Sequence, residues 1–91
     1  MVQVEVRGIP VSFDDSALDD FRMLRLLARI KDNDVLALPE FAERVFGAEQ
    51  LENIMRSLED DDGVCRLTDM VPFIFEAMDE AAKERAAESK N

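Results

Sequence analysis

Val2, Val4 and Val6 alternate with Gln3, Glu5 and Arg7 at the start of the chain, the two-residue period of a strand buried on one face. Ile9, Val11 and Phe13 repeat the alternation after Arg7-Gly8. Glycine in the second position of a two-residue loop accepts a positive φ, so the pattern predicts a tight β-hairpin. Pro10 has no N–H to give to a ladder and is expected where an edge requires none. A lone hairpin is barely stable in water, so this one must pack on the rest of the chain or pair with another copy.

The period then changes to that of helices. Asp14-Asp15-Ser16 supplies helix-start chemistry, with Ser16 and Asp19 spaced as a weak capping box. One helix is expected from there to about Lys31. It carries two apolar stripes, Ala17-Phe21-Leu24-Ala28 and Met23-Leu26-Ile30, with Leu27 between them and Arg22, Arg25 and Arg29 on the polar strip. A helix apolar over so much of its circumference is buried on several sides. After the polar connector Lys31 to Asp34, Leu38, Phe41, Ala42 and Val45 mark a short helix closed by Gly47. Pro39 fits its first turn. Leu51, Ile54, Met55 and Leu58 give the next helix a narrow stripe, ended by Glu59-Asp60-Asp61-Asp62-Gly63. Thr68 and Asp69 open the last helix, whose core face is Met70, Phe73, Ile74, Ala77, Met78 and Ala81, widened by Val71 and Phe75. The fold class is therefore mainly α (α+β): an N-terminal β-hairpin followed by a bundle of about four helices. Residues 1–82 form one domain. Residues 83–91 show no stripe and are expected to be a flexible tail.

Composition narrows the function. The chain has 91 residues, 47% of them hydrophobic, which suffices for one core. No apolar run approaches the ~18 residues of a membrane span, and the first residues lack a signal-peptide pattern. Cys65 is the one cysteine and histidine is absent, which fits a cytoplasmic setting and leaves that thiol without its usual activating partner. The net charge is −10. Residues 1–31 balance five acids with five bases, whereas residues 32–91 set sixteen acids against six bases. So negative a surface repels phosphate backbones and anionic lipids, and neither nucleic acid nor membrane is expected as a partner.

Candidate chemistry is thin. Helix, then Asp60-Asp61-Asp62-Gly63, then helix has the outline of a calcium-binding loop. With Gly63 at the sixth position of such a loop, Asp60 and Asp62 fall on ligand positions and Asp69 on the last. The first ligand position falls on Leu58, which has no donor oxygen. The expected reading is an acidic turn, with Asp60, Asp62 and Asp69 as a weak cation site at most. No zinc site of the usual ligands can be assembled, and no serine has an imidazole to serve as base. No catalytic residue, cofactor or resident metal is expected, and the chain reads as a non-enzyme.

What remains is apolar surface. The five methionines and six phenylalanines are concentrated in the helices, and the wide apolar arcs of the first and last helices exceed what one small core readily covers. Methionine suits a contact that adapts to its partner. The expected binding face lies between those two helices, with Met23, Leu26 and Ile30 on the first and Met70, Val71, Phe75 and Met78 on the last. It would engage an amphipathic segment of a protein partner.

The order of elements also resembles a family. A short hairpin leads into Asp14-Asp15-Ser16-Ala17-Leu18-Asp19-Asp20-Phe21; Asp34-Val35-Leu36-Ala37-Leu38-Pro39 leads to Phe46-Gly47-Ala48-Glu49-Gln50; and Leu58-Glu59-Asp60-Asp61-Asp62-Gly63 precedes the final helix. Over residues 2–80 this is similar to the tail assembly chaperones of long-tailed bacteriophages and prophages. The resemblance implies a non-catalytic chaperone of the host cytoplasm that keeps tape-measure and tail-tube proteins soluble during tail assembly. The alternatives are a cation-responsive helix-loop-helix protein and a small structural homo-oligomer whose hairpin adds strands across chains.

Overall fold

β1 (Val2–Val6) and β2 (Ile9–Phe13) pair antiparallel around Arg7-Gly8, with Val6 opposite Ile9, Val4 opposite Val11 and Val2 opposite Phe13. Both loop residues have positive φ, 52° at Arg7 and 79° at Gly8, the backbone of the turn whose twist matches that of the strands it joins. All three of those pairs put apolar side chains on one face, where Val2, Val6, Val11 and Phe13 are buried. The structure, a computed structural model, describes residues 2–88, except for the side chains of Asp15, Leu18 and residues 85–88.

In a two-residue hairpin the closing pair is hydrogen-bonded and alternate pairs are not. Pro10, opposite Glu5, and Ser12, opposite Gln3, therefore turn their backbone groups away from β1. Pro10 has no N–H to leave unpaired. Ser12 is satisfied by a side chain: its N–H donates to Gln50 Oε1 at 2.8 Å, and Gln50 Nε2 donates to its carbonyl at 2.7 Å. Gln50 Nε2 also donates to the Phe46 carbonyl at 2.9 Å, so one amide joins the outer edge of β2 to the helices.

Four helices of nine residues or more follow the hairpin, as the periodicity predicts. The single long first helix does not form. One turn, α1 (Asp15–Leu18), is separated from α2 (Phe21–Lys31) by Asp19 and Asp20. The reason is local. Asp20 has extended backbone, and its Oδ1 accepts from the Arg22 N–H at 2.8 Å, capping a new helix rather than continuing the old one. α2 ends with Asn33 at φ 66°, the Asn33 N–H on the Ile30 carbonyl and the Asp34 N–H on the Arg29 carbonyl, which satisfies the last carbonyls of the helix. Asp34 then caps a 3₁₀ turn, Val35–Ala37, through the Leu36 N–H.

α3 (Leu38–Phe46) and α4 (Ala48–Leu58) meet at Gly47 alone, which ends one and starts the other at φ 83°, ψ 153°. Only glycine adopts that backbone without strain. α5 (Leu67–Glu88) continues past Ala82, where the apolar stripe stops. Residues 81–88 are all alanine, glutamate, lysine or arginine, strong helix formers that need little burial to hold a helix, and Lys83 reaches both Asp79 and Glu80. Helix thus replaces the expected tail up to Glu88, and residues 89–91 lie outside the described residues.

α5 packs chiefly on β1, while α3 and α4 both pack on β2. Phe13, Phe41 and Phe73 are completely enclosed where these layers meet. The ring of Phe13 lies 5.4 Å from that of Phe46, tilted by 56°, a favoured aromatic geometry. No helix among the described residues is long and apolar enough to cross a membrane.

Candidate protein-binding groove

α4 lays Leu51, Ile54, Met55 and Leu58 along one face, but only Ile54 is buried. Leu51, Met55 and Leu58 are half-buried. Asp60 holds the segment joining α4 to α5 in shape. Its carboxylate accepts from the Asp62 and Val64 N–H groups at 2.9 and 3.1 Å and from Arg66 Nε at 2.6 Å, while its own N–H donates to the Val64 carbonyl. The network is complete in itself, so the segment needs no apolar anchor. It delivers Leu67 to the surface, 73% exposed.

An apolar hollow of about 220 Å³ is left open between α3, α4 and the start of α5. Leu38, Pro39 and Ala42 form one wall, Leu51 and Met55 a second, and Met70, Val71 and Ile74 a third, with Val35, Cys65 and Leu67 around the mouth. Its volume lies below the roughly 300–1,000 Å³ usual for small-molecule sites. It suits a large apolar side chain entering from a partner's surface.

Two acids, Glu59 and Asp69, lie near Cys65 at the mouth. Cys65 is half-buried, and its thiol titrates above its ordinary value, first because burial disfavours the thiolate and then because Asp69 and Glu59 lie close enough to repel it. It is a poor nucleophile at neutral pH. Arg66, next to Cys65 in the chain, is already engaged, since it pairs with Asp60 at 2.6 Å and reaches Asp62 at 3.8 Å. That pairing, with the Val64 N–H next in weight, holds the Asp60 carboxyl below the usual carboxylate range. Of the aspartates expected to hold a cation, Asp60 has its carboxylate engaged by the loop itself. Among the described residues no group of three or more histidine, cysteine, aspartate or glutamate side chains is placed to bind a metal ion, so Asp60, Asp62 and Asp69 do not converge.

The residues expected to form the binding face divide. Met70 and Val71 line the hollow; Phe75 is 46% exposed and Met78 half-buried farther along α5. On α2 the expectation is reversed. Met23 and Leu26 are buried in the core and Ile30 packs against it, whereas Phe21 and Leu24 of the other stripe are 73% and 58% exposed. The break at Asp20 sets the rotation of α2, and packing on α3 takes the Met23-Leu26-Ile30 side. The groove therefore lies between α3, α4 and α5 and not between α2 and α5. Val35 and Leu67 are contributors that helical periodicity does not reveal. Their signal is an apolar residue in a connector or at a helix's first position.

The arginine strip of α2 lines a second, polar hollow with Glu40 and Arg44 of α3. Arg22 pairs with Asp20 at 3.0 Å, Arg29 with Asp34 at 2.9 Å and Arg44 with Glu40 at 3.4 Å. The Arg22 contact holds the Asp20 carboxyl below its ordinary range. Arg25 has no ion-pair partner among the described residues. The chain matches no protein-family profile, no curated protein and no solved structure.

Proposed function

We propose that this chain is a non-catalytic cytoplasmic chaperone or adaptor that holds an amphipathic helical segment of another protein in the groove between α3, α4 and α5. The observation that carries the reading is the open apolar hollow, with Leu67 and Val35 exposed at its mouth, in a chain that leaves no buried side-chain polar atom unsatisfied among the described residues. Exposed apolar surface of this kind is characteristic of interaction sites. A helix enters such a groove through anchors spaced three and four residues apart. The mouth, with Glu59 and Asp69 near Cys65, selects a helix whose polar flank is basic. The likeness of the chain to tail assembly chaperones makes tape-measure and tail-tube proteins the clients of choice. An acidic surface would keep the complex soluble while the client waits for assembly.

Calorimetric titration of the full chain with two synthetic helical peptides tests this. Both carry the same leucine stripe, one with a lysine flank and one with a glutamate flank. The lysine peptide should bind more tightly, and Leu67→Lys should weaken it by more than about tenfold. Failure of both peptides to bind, or indifference to Leu67→Lys, would refute the proposal.

A further inference from the structure

α2 is itself a helix of the kind the groove selects. Residues 21–31 contain four bases and no acid, in a chain of net charge −10. Phe21, Leu24 and Ala28 follow the three-then-four spacing of groove anchors, and all three are exposed. Arg25 and Lys31 flank that stripe on opposite sides by the 100° rotation per residue, and neither has an ion-pair partner among the described residues. The stripe cannot reach the groove of its own molecule. The opposite side of α2, Met23 and Leu26, is locked into the core, so the stripe faces away from the core of its own molecule.

We infer that the chain associates with itself, the outward stripe of α2 in one copy seating in the groove of the next. This rests on the reading of the groove as a helix-binding site. Leu24 is the central anchor, 58% exposed between the exposed Phe21 and Ala28. Arg25 and Lys31 meet the acids around the mouth, Glu59 and Asp69. The contact joins two unlike surfaces, so every free copy presents one donor face and one acceptor face. A client helix and a second copy then compete for the same groove. Self-association covers the apolar surface until a client displaces it, which is a useful property in a chaperone.

Sedimentation of the full chain, at increasing concentration and at low and high salt, tests the contact. The average mass should rise with concentration, and the rise should shrink at high salt because exposed charges contribute to it. Leu24→Asp removes the donor and Val35→Lys with Leu67→Lys removes the acceptor; all three side chains are exposed, so both variants should fold. Each variant alone should be monomeric. Mixed together they should form a one-to-one pair, because each supplies the face the other lacks. A wild-type chain that stays monomeric, variants that associate as well as wild type, or a mixture that stays monomeric would each overturn the inference. Association untouched by either variant would assign it to another surface, such as the outer edge of β1. The lysine peptide separates this inference from the reading beneath it. If wild type stays monomeric yet binds the peptide, only self-association fails. If the variants complement each other and the peptide does not bind, the groove serves self-association and the client reading fails.

Discussion

The hairpin and the groove use similar apolar residues to opposite ends. On the hairpin, Val2, Val6, Val11 and Phe13 are each 3% exposed or less, and the edge of β2 is closed by Pro10 and the Gln50 amide. Around the groove, α4 buries one residue of its four-residue stripe, and Leu67 stands in solvent at the mouth. The difference lies in what each region is tied to. The apolar face of the hairpin is covered by α5 on β1 and by α3 and α4 on β2, so it is closed by packing. The segment before α5 is organised by a polar network around Asp60, which fixes its path without filling the space beneath. One region holds the fold together, and the other is left open at little cost to it.

The contrast can be broken most severely at Phe13. Phe13→Ala removes an enclosed ring from the junction with Phe46 and should cost about 3–5 kcal/mol, read from the urea midpoint. In so short a chain that is a large part of the total stability. Gln50→Ala should cost about 1–3 kcal/mol by leaving the Ser12 N–H and carbonyl without their partner; a second readout, faster amide exchange at Ser12, distinguishes this from a general loss of helix. Leu67→Ala, on the groove side, should change stability by no more than about 0.5 kcal/mol while weakening peptide binding. An equal loss of stability at Leu67 and Gln50 would erase the distinction between the two regions.

The smallest effect expected is that of acid on the segment before α5. Asp60 titrates below its ordinary value of 3.8 because Arg66 and the Val64 N–H favour its charged form. A depressed folded value means that the stabilisation is fully present above the unfolded value and fades as pH falls through the folded one. Asp60→Asn should therefore lower the unfolding midpoint at pH 7, and its difference from wild type should shrink below pH 3.8. An increasing difference at low pH would contradict the role given to the Asp60–Arg66 pair.

How far these regions can be read from sequence follows the same division. The hairpin is legible because its determinants are local: a two-residue period and a loop ending in glycine. α3 and α4 are legible for a related reason, since a single stripe and Gly47 leave one arrangement. α2 is not. Asp19-Asp20 reads as polar surface within one helix, and only the conformation of Asp20 shows that a new helix begins there. Both stripes of α2 are apolar, so the choice between Met23-Leu26-Ile30 and Phe21-Leu24-Ala28 is made by the break at Asp20 and by packing on α3, which the helical period of α2 does not encode. The excess of apolar surface is legible as an excess, but its position depends on where the Asp60 network aims Leu67, and no periodicity encodes that direction.

Cys65 provides the most direct test of the open groove, because it sits at the mouth and is the chain's sole thiol. Its rate of alkylation by a small maleimide should fall several-fold when the lysine-flanked peptide is added at saturation, and the glutamate-flanked peptide at the same concentration should leave it nearly unchanged. An alkylation rate that saturating lysine peptide does not alter would show that the hollow between α3, α4 and α5 is not where helices bind.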